Sequence, residues 1–324
     1  MSKLAIIIPA LGDVQRLEDG LVSVLQHRPA DAEVLVVLTR PYSDPYDLQD
    51  EVRFIQAPRR SGLVACLQMG LDASHAPLVH FLGAGREVEE DWAERAIAHF
   101  DDPRVAAVAP LTLDTLPRET AYAGVEYCWG GSRRLRSIGD RAETGDVLGP
   151  ELQASFYRRT AVEAVGGLSV EVGDELADVE LAITLQQAGF HARFEPASQI
   201  HLPNDFGPQH GPFRRGLYAE RMFWRNAPAH GWVRSLAAHP WTLATGSLSS
   251  GLLGMAPHLL GRLLGGCQWS RRRAQHQLLA ELRQNPPVVS PHQEDADANR
   301  RIDASHPHAE PHTRQLDRAP RHAA

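Results

Sequence analysis

The run Gly173-Asp174-Glu175-Leu176-Ala177-Asp178-Val179-Glu180-Leu181 places four carboxylates within seven positions at what reads as the start of a helix. Carboxylates so placed have two uses. Beside a cleft, Asp178 could take the proton from an attacking hydroxyl as a general base. At a helix start, Asp174 or Asp178 could instead cap free backbone amides, which needs no chemistry at all. Further on, His201 closes a strand-like run, where an imidazole could ligate a divalent cation, contact phosphate, or serve as an ordinary surface histidine.

The elements that must hold these groups follow from the spacing of apolar residues. LAIIIPA (4–10), EVLVVLT (33–39), VRFIQAP (52–58), PLVHFLG (77–83) and VAAVAPL (105–111) are short runs apolar enough to be covered on both faces. Helical patterns separate them at 17–27, 61–74 and 89–100. This alternation predicts an α/β sheet between helix layers, with ligands beyond the strand carboxyl ends at Pro9–Asp13, Thr39–Asp44 and Gly83–Glu87. Residues 112–150 show no secure period; 122–137 reads as a strand or helix followed by an exposed basic loop. Order returns with 152–167, with a helix at 178–190 that Gly189 ends, and with a strand at 192–198.

The chain has 324 residues, 33 Lys and Arg against 40 Asp and Glu, and three cysteines. It is long enough for a substantial core, and three scattered cysteines exclude a disulfide scaffold. No Walker-type phosphate loop, dinucleotide glycine fingerprint or CxxC pair is present, so nucleotide hydrolysis and nicotinamide chemistry lose weight. Charge is uneven: residues 1–211 hold 18 basic against 32 acidic side chains, and residues 212–283 hold 10 against 2. The acidic body argues against nucleic acid as partner. The basic stretch suits phosphate, anionic lipid or the body itself. Within it, 241–266 reads as packed helices or a membrane-associated surface rather than a span. The opening apolar run is too short for a signal peptide, which makes the cytoplasm the expected compartment.

Three segments carry a family resemblance: LAIIIPALGDVQRLEDGLVSVL (4–25), the stretch VRFIQAPRR to GREVEEDW (52–92), and GPELQASFYRR to PASQIH (149–201). In order and spacing they resemble the family 2 glycosyltransferases, inverting enzymes of the GT-A fold. The resemblance implies an α/β, GT-A-like domain over 1–211, with a mostly parallel central sheet flanked by helices. A C-terminal basic helical extension over 212–283, for which membrane association is one open use, and a disordered tail over 284–324 complete the expected organisation.

It further implies sugar transfer from a nucleotide-sugar donor to a hydroxyl acceptor. Asp178 takes the position of the acceptor-activating base, with Asp174, Glu175 and Glu180 on the acceptor side. Pro9, Asp44, Arg59 and Arg60 fall near the donor, and Arg214 and Arg215, with Arg221 and Arg225, could neutralise its diphosphate. His201 matches a late histidine that completes a metal shell in some members. Departures are equally specific. No Asn follows Pro9, Leu38-Thr39-Arg40-Pro41 replaces acids at the end of the second strand, and Gly83-Ala84-Gly85 stands where Asp-x-Asp would hold Mg²⁺ or Mn²⁺. An inactive GT-A binding or scaffolding protein, with an active enzyme or a peripheral membrane as partner, is therefore the alternative expectation. A transferase with a different donor is a third.

Overall fold

The computed structural model describes residues 2–12, 14–114, 120–128, 131–139, 143–202 and 211–267, with positions 277, 280 and 281. Asp13 and the expected disordered tail at 284–324 lie outside them. All the described residues fall in one compact unit.

Strand β1 (Leu4–Ala10) is buried throughout, because it sends alternate side chains into two cores. Leu4, Ile6 and Ile8 meet Leu17, Leu21 and Val24 of α1 (Val14–His27). Ala5 and Ile7 meet Leu63, Val64, Leu67 and Leu71 of α2 (Leu63–Ala73). Covering both faces is what lets these strands be nearly continuous apolar runs. Strands β2 (Ala32–Leu38), β3 (Val52–Gln56) and β4 (Leu78–Leu82) lie parallel to it in the order β3-β2-β1-β4.

After β5 (Glu87–Val88) and α3 (Trp92–Ile97) the sheet becomes mixed. Strand β6 (Val105–Asp114) leads to a hairpin of β7 (Thr120–Cys128) and β8 (Ser132–Ile138), followed by β9 (Gly145–Val147), β10 (Ala154–Arg158) and β11 (His191–Leu202). β10 runs antiparallel between β4 and β6, and β11 returns parallel to β6. Helices α4 (Arg159–Ala164) and α5 (Ala177–Gln187) join β10 to β11.

The hairpin corrects one expectation. Ser132–Ile138 is a strand paired with β7 and not an exposed basic loop. Its period of two is hidden by three arginines: Arg133 and Leu135 are half-buried, while Arg134 and Arg136 are exposed.

Three helices follow: α6 (Pro212–His230), α7 (Trp232–Ser249) and α8 (Gly251–Gly266). Pro212 opens α6 at a position where a missing amide costs nothing. Met222 and Tyr218 of α6 pack on Val172, Leu176, Val179 and Ile183. No helix among the described residues is long and apolar enough to cross a membrane.

Candidate active site

Helix α5 is enclosed on every side, with Ala177 through Leu185 all buried. A carboxylate in such a place is stable only with a partner. Asp178 is 2% exposed, and Arg133 of β8 grips both its oxygens: Nε lies 3.1 Å from Oδ1 and 3.0 Å from Oδ2, and Nη2 lies 2.6 Å from Oδ2. Burial works against the Arg133 charge, but Asp178 outweighs it and raises the guanidinium pKa. Glu180 accepts from Arg225 of α6 at 3.1 Å, and the same guanidinium reaches Glu171 at 2.5 Å.

Asp178 and Arg133 line a cleft of about 860 Å³. Gln153, Glu151, Asp174 and Glu175 come from the body side, Arg134 from β8, and Arg215, Thr242, His258 and Arg262 from the three C-terminal helices. Among the described residues Arg134 and Arg215 form no close ion pair, and both face this space alongside the Asp174 and Glu175 carboxylates.

The other expected site residues scatter. Asp174 does cap a helix, but the helix is α2: its carboxylate accepts from Leu63 N at 3.0 Å and Val64 N at 3.1 Å, across more than a hundred residues. The close approach needs Gly62, where a Cβ would sit 2.5 Å from an Asp174 oxygen. Pro9 is buried in β1 opposite Val37. Asp44 closes its own turn, accepting from Tyr46 N and Leu48 N. Arg59 and Arg60 are exposed before α2, and Arg214 is exposed on α6; none of the three lines the cleft. Arg221 donates to the Glu171 carbonyl. His201 is partly exposed on β11, with Nε2 2.8 Å from Glu89 Oε1.

Gly83-Ala84-Gly85 forms the turn after β4. Gly83 N donates to Gln153 O, Arg86 N donates back to Gly83 O, and Gly85 has φ +81°. Arg86 is fully buried and holds Glu151 at 2.6 and 3.1 Å. Burial alone would push the Glu151 carboxyl up, but Arg86, and then Arg133, more than offset it and hold the pKa below the ordinary range. The glycine turn itself offers no carboxylate to Mg²⁺ or Mn²⁺. A Cβ on Gly83 would lie 2.7 Å from Gln153 Oε1 and 2.9 Å from Arg86 Nε, so a ligating side chain there would have to displace the Gln153 side chain and crowd the Arg86–Glu151 pair. No group of three or more His, Cys, Asp or Glu that could hold a metal exists among the described residues.

Arg133, Glu151 and Arg86 were not reached by sequence reasoning. Arg86 had a signal, since it directly follows the glycine turn. Arg133 had none, lying in the stretch whose period its own charge conceals.

With the fold and the cleft described, the sequence comparisons give the family. The family model described as Glycosyl transferase family 2 matches residues 5–166, half of the chain, and the chain belongs to that family. Pre-mycofactocin glycosyltransferases from two strains of Mycobacterium tuberculosis are 26% identical over 221 residues, 66% of this chain and 44% of theirs. The chain thus spans less than half the length of these curated relatives. The crystal structure of GalNAc-T7 with UDP, GalNAc and Mn²⁺ superposes with a TM-score of 0.55 at 15% identity, covering 70% of this chain and 51% of that one. The architecture is the GT-A-like α/β fold.

Proposed function

We propose that the protein transfers a sugar from a nucleotide-sugar donor to a hydroxyl acceptor, with inversion at the anomeric carbon. The observation that carries this reading is Asp178, held at the start of α5 on the wall of the large cleft of a family 2 chain. Its carboxylate takes the acceptor proton as the acceptor oxygen bonds to the anomeric carbon. The carbon–oxygen bond to the diphosphate breaks, and its electron pair leaves with the nucleoside diphosphate. Arg134 and Arg215 supply cations for that anion, and no step is assigned to a metal. Arg133 must slide off Asp178 for the base to act, which makes acceptor entry and base release one event.

A second reading is favoured by the same contact. Arg133 engages both Asp178 oxygens, as a chain that binds sugar nucleotides without transferring them could permit. Titration with a panel of nucleoside diphosphates and nucleotide sugars, with and without Mn²⁺, separates the two. Transfer is expected, and Asp178→Asn should lower turnover by about 10²–10⁴-fold while leaving donor affinity in place. Arg133 is accessible enough for water to satisfy it in that variant. Binding without turnover would establish the second reading, and no binding by any nucleotide would reject both.

A further inference from the structure

Helix α8 is inverted. The stripe it turns into the protein is Gly254, His258, Gly261, Arg262 and Gly265, at the spacing of one buried helix face. The side it turns outward carries Leu252, Leu253, Leu259, Leu260, Leu263 and Leu264, with Leu252 91% and Leu253 96% exposed. Helix α7 follows the same rule. Ser235, His239, Thr242 and Ser247 point in, while Val233, Leu236, Trp241 and Leu248 point out. A helix folded against water does the reverse.

From these observations we infer that the outer face of α7 and α8 seats in the interface of an anionic phospholipid bilayer, lying along it. Three features select lipid over a protein partner. Ser235 through Gly261 contains no Asp, Glu, Lys or Arg, and in the sequence this uncharged run is flanked by Arg234 before it and Arg271, Arg272 and Arg273 after it, the charge sign that anionic head groups attract. The outer face of α8 offers no side-chain donor or acceptor, whereas a protein interface carries about one hydrogen bond per 100–200 Å². Acyl chains need none. Exposed Trp232 and Trp241 supply the ring type that anchors at the head-group level.

Length sets the orientation. The helices have 18 and 16 residues, so at about 1.5 Å per residue each is shorter than the roughly 30 Å hydrocarbon core. The glycine stripe explains how so polar an inner face packs. A Cβ on Gly261 would lie 2.0 Å from Phe213 O, and one on Gly216 2.1 Å from His258 O, so α6 and α8 touch backbone to backbone. Because Thr242, His258 and Arg262 line the cleft from these inner faces, the cleft lies one helix thickness from the lipid.

Flotation of the full chain with phosphatidylcholine vesicles containing about 30% phosphatidylglycerol tests this. The protein should float, its tryptophan emission should shift blue, and brominated lipid should quench it. The variant Leu252→Gln/Leu253→Gln/Leu260→Gln, which removes only exposed groups, should lose at least about tenfold in bound fraction with circular dichroism and melting unchanged. Failure of the wild type to float, or equal binding by the variant, would overturn the inference. A wild-type dimer that the variant converts to monomer, without flotation, would overturn it in favour of a second copy. None of these outcomes depends on sugar transfer, so they stand apart from the transferase reading.

Discussion

Helices α5 and α8 both border the cleft, and they handle polar groups in different ways. α5 is surrounded by protein, and each of its buried carboxylates is matched by an arginine from another element: Arg133 for Asp178 and Arg225 for Glu180. α8 has protein on one side only and gives that side its polar and small residues. There Arg262 meets Glu220 of α6 at 3.2 Å, and Glu220 also holds His239 of α7 and the Trp224 indole. Burial would raise the Glu220 carboxyl, but His239 and Arg262 outweigh it and lower the pKa. In both helices the interior polar groups are there because the cleft and its ion pairs are there. What differs is the outside, sheltered by protein for α5 and leucine-rich for α8.

The largest effect expected from breaking this contrast is at Gly261. In α5 the packing surface is large side chains, whereas in α8 it is the absence of side chains. Gly261→Val should destabilise by about 3 kcal/mol or more, read by denaturant unfolding, because the new atoms meet the Phe213 carbonyl of α6 and neither backbone can yield cheaply. A variant with wild-type stability would mean that α6 and α8 do not approach at these glycines.

Buried histidines sharpen the comparison at the next level. His80 of β4 lies in the body, stacked on Phe156 at 3.9 Å, with Nδ1 donating to Ser155 O at 3.0 Å. Burial lowers its pKa to about 3 against the Ser155 bond, which favours the charged ring, and Arg86 adds a smaller push in the direction of burial. His258 of α8 is lowered to about 4 by burial and then by Arg262 and Arg215. The body histidine is thus held neutral mainly by aromatic enclosure, and the α8 histidine by enclosure together with neighbouring cations. Below pH 6.5 the unfolded chain takes up a proton at position 80 that the folded chain refuses until about pH 3. Stability therefore falls as pH drops through that window, by about 1.4 kcal/mol per unit from this residue. His80→Phe should remove that part of the slope, measured by unfolding between pH 6.5 and 4.5. An unchanged slope would place the acid sensitivity elsewhere.

The first half of the fold was legible because β1, β2 and β4 are buried on both faces, so apolar runs and helical periods alternate without ambiguity. The β7–β8 hairpin was not, since Arg133, Arg134 and Arg136 give both faces of β8 the same residue type. Asp178 could be found from its carboxylate cluster and from the resemblance. Its ion pair could not, because Arg133 lies 45 positions away on a strand that the pattern does not announce. Asp174 shows the limit from the other side: a capping carboxylate was recognisable by type, but its target is the start of α2, 111 residues back along the chain.

The smallest expected effect is the one that separates the two kinds of helix surface. Leu67 on α2 is fully buried, and Leu67→Ala should cost about 2–5 kcal/mol through lost transfer energy and the cavity left behind. Leu253 on α8 is a leucine in a helix as well, but at 96% exposed it has almost no neighbours to lose. In detergent-free buffer Leu253→Ala should change unfolding free energy by less than about 0.5 kcal/mol. Vesicles should reverse that indifference. Lipid that binds only the folded chain raises its melting temperature by mass action, and the Ala variant should gain less than the wild type at equal lipid. An equal gain in both would mean that Leu253 stays in water when the protein meets the bilayer.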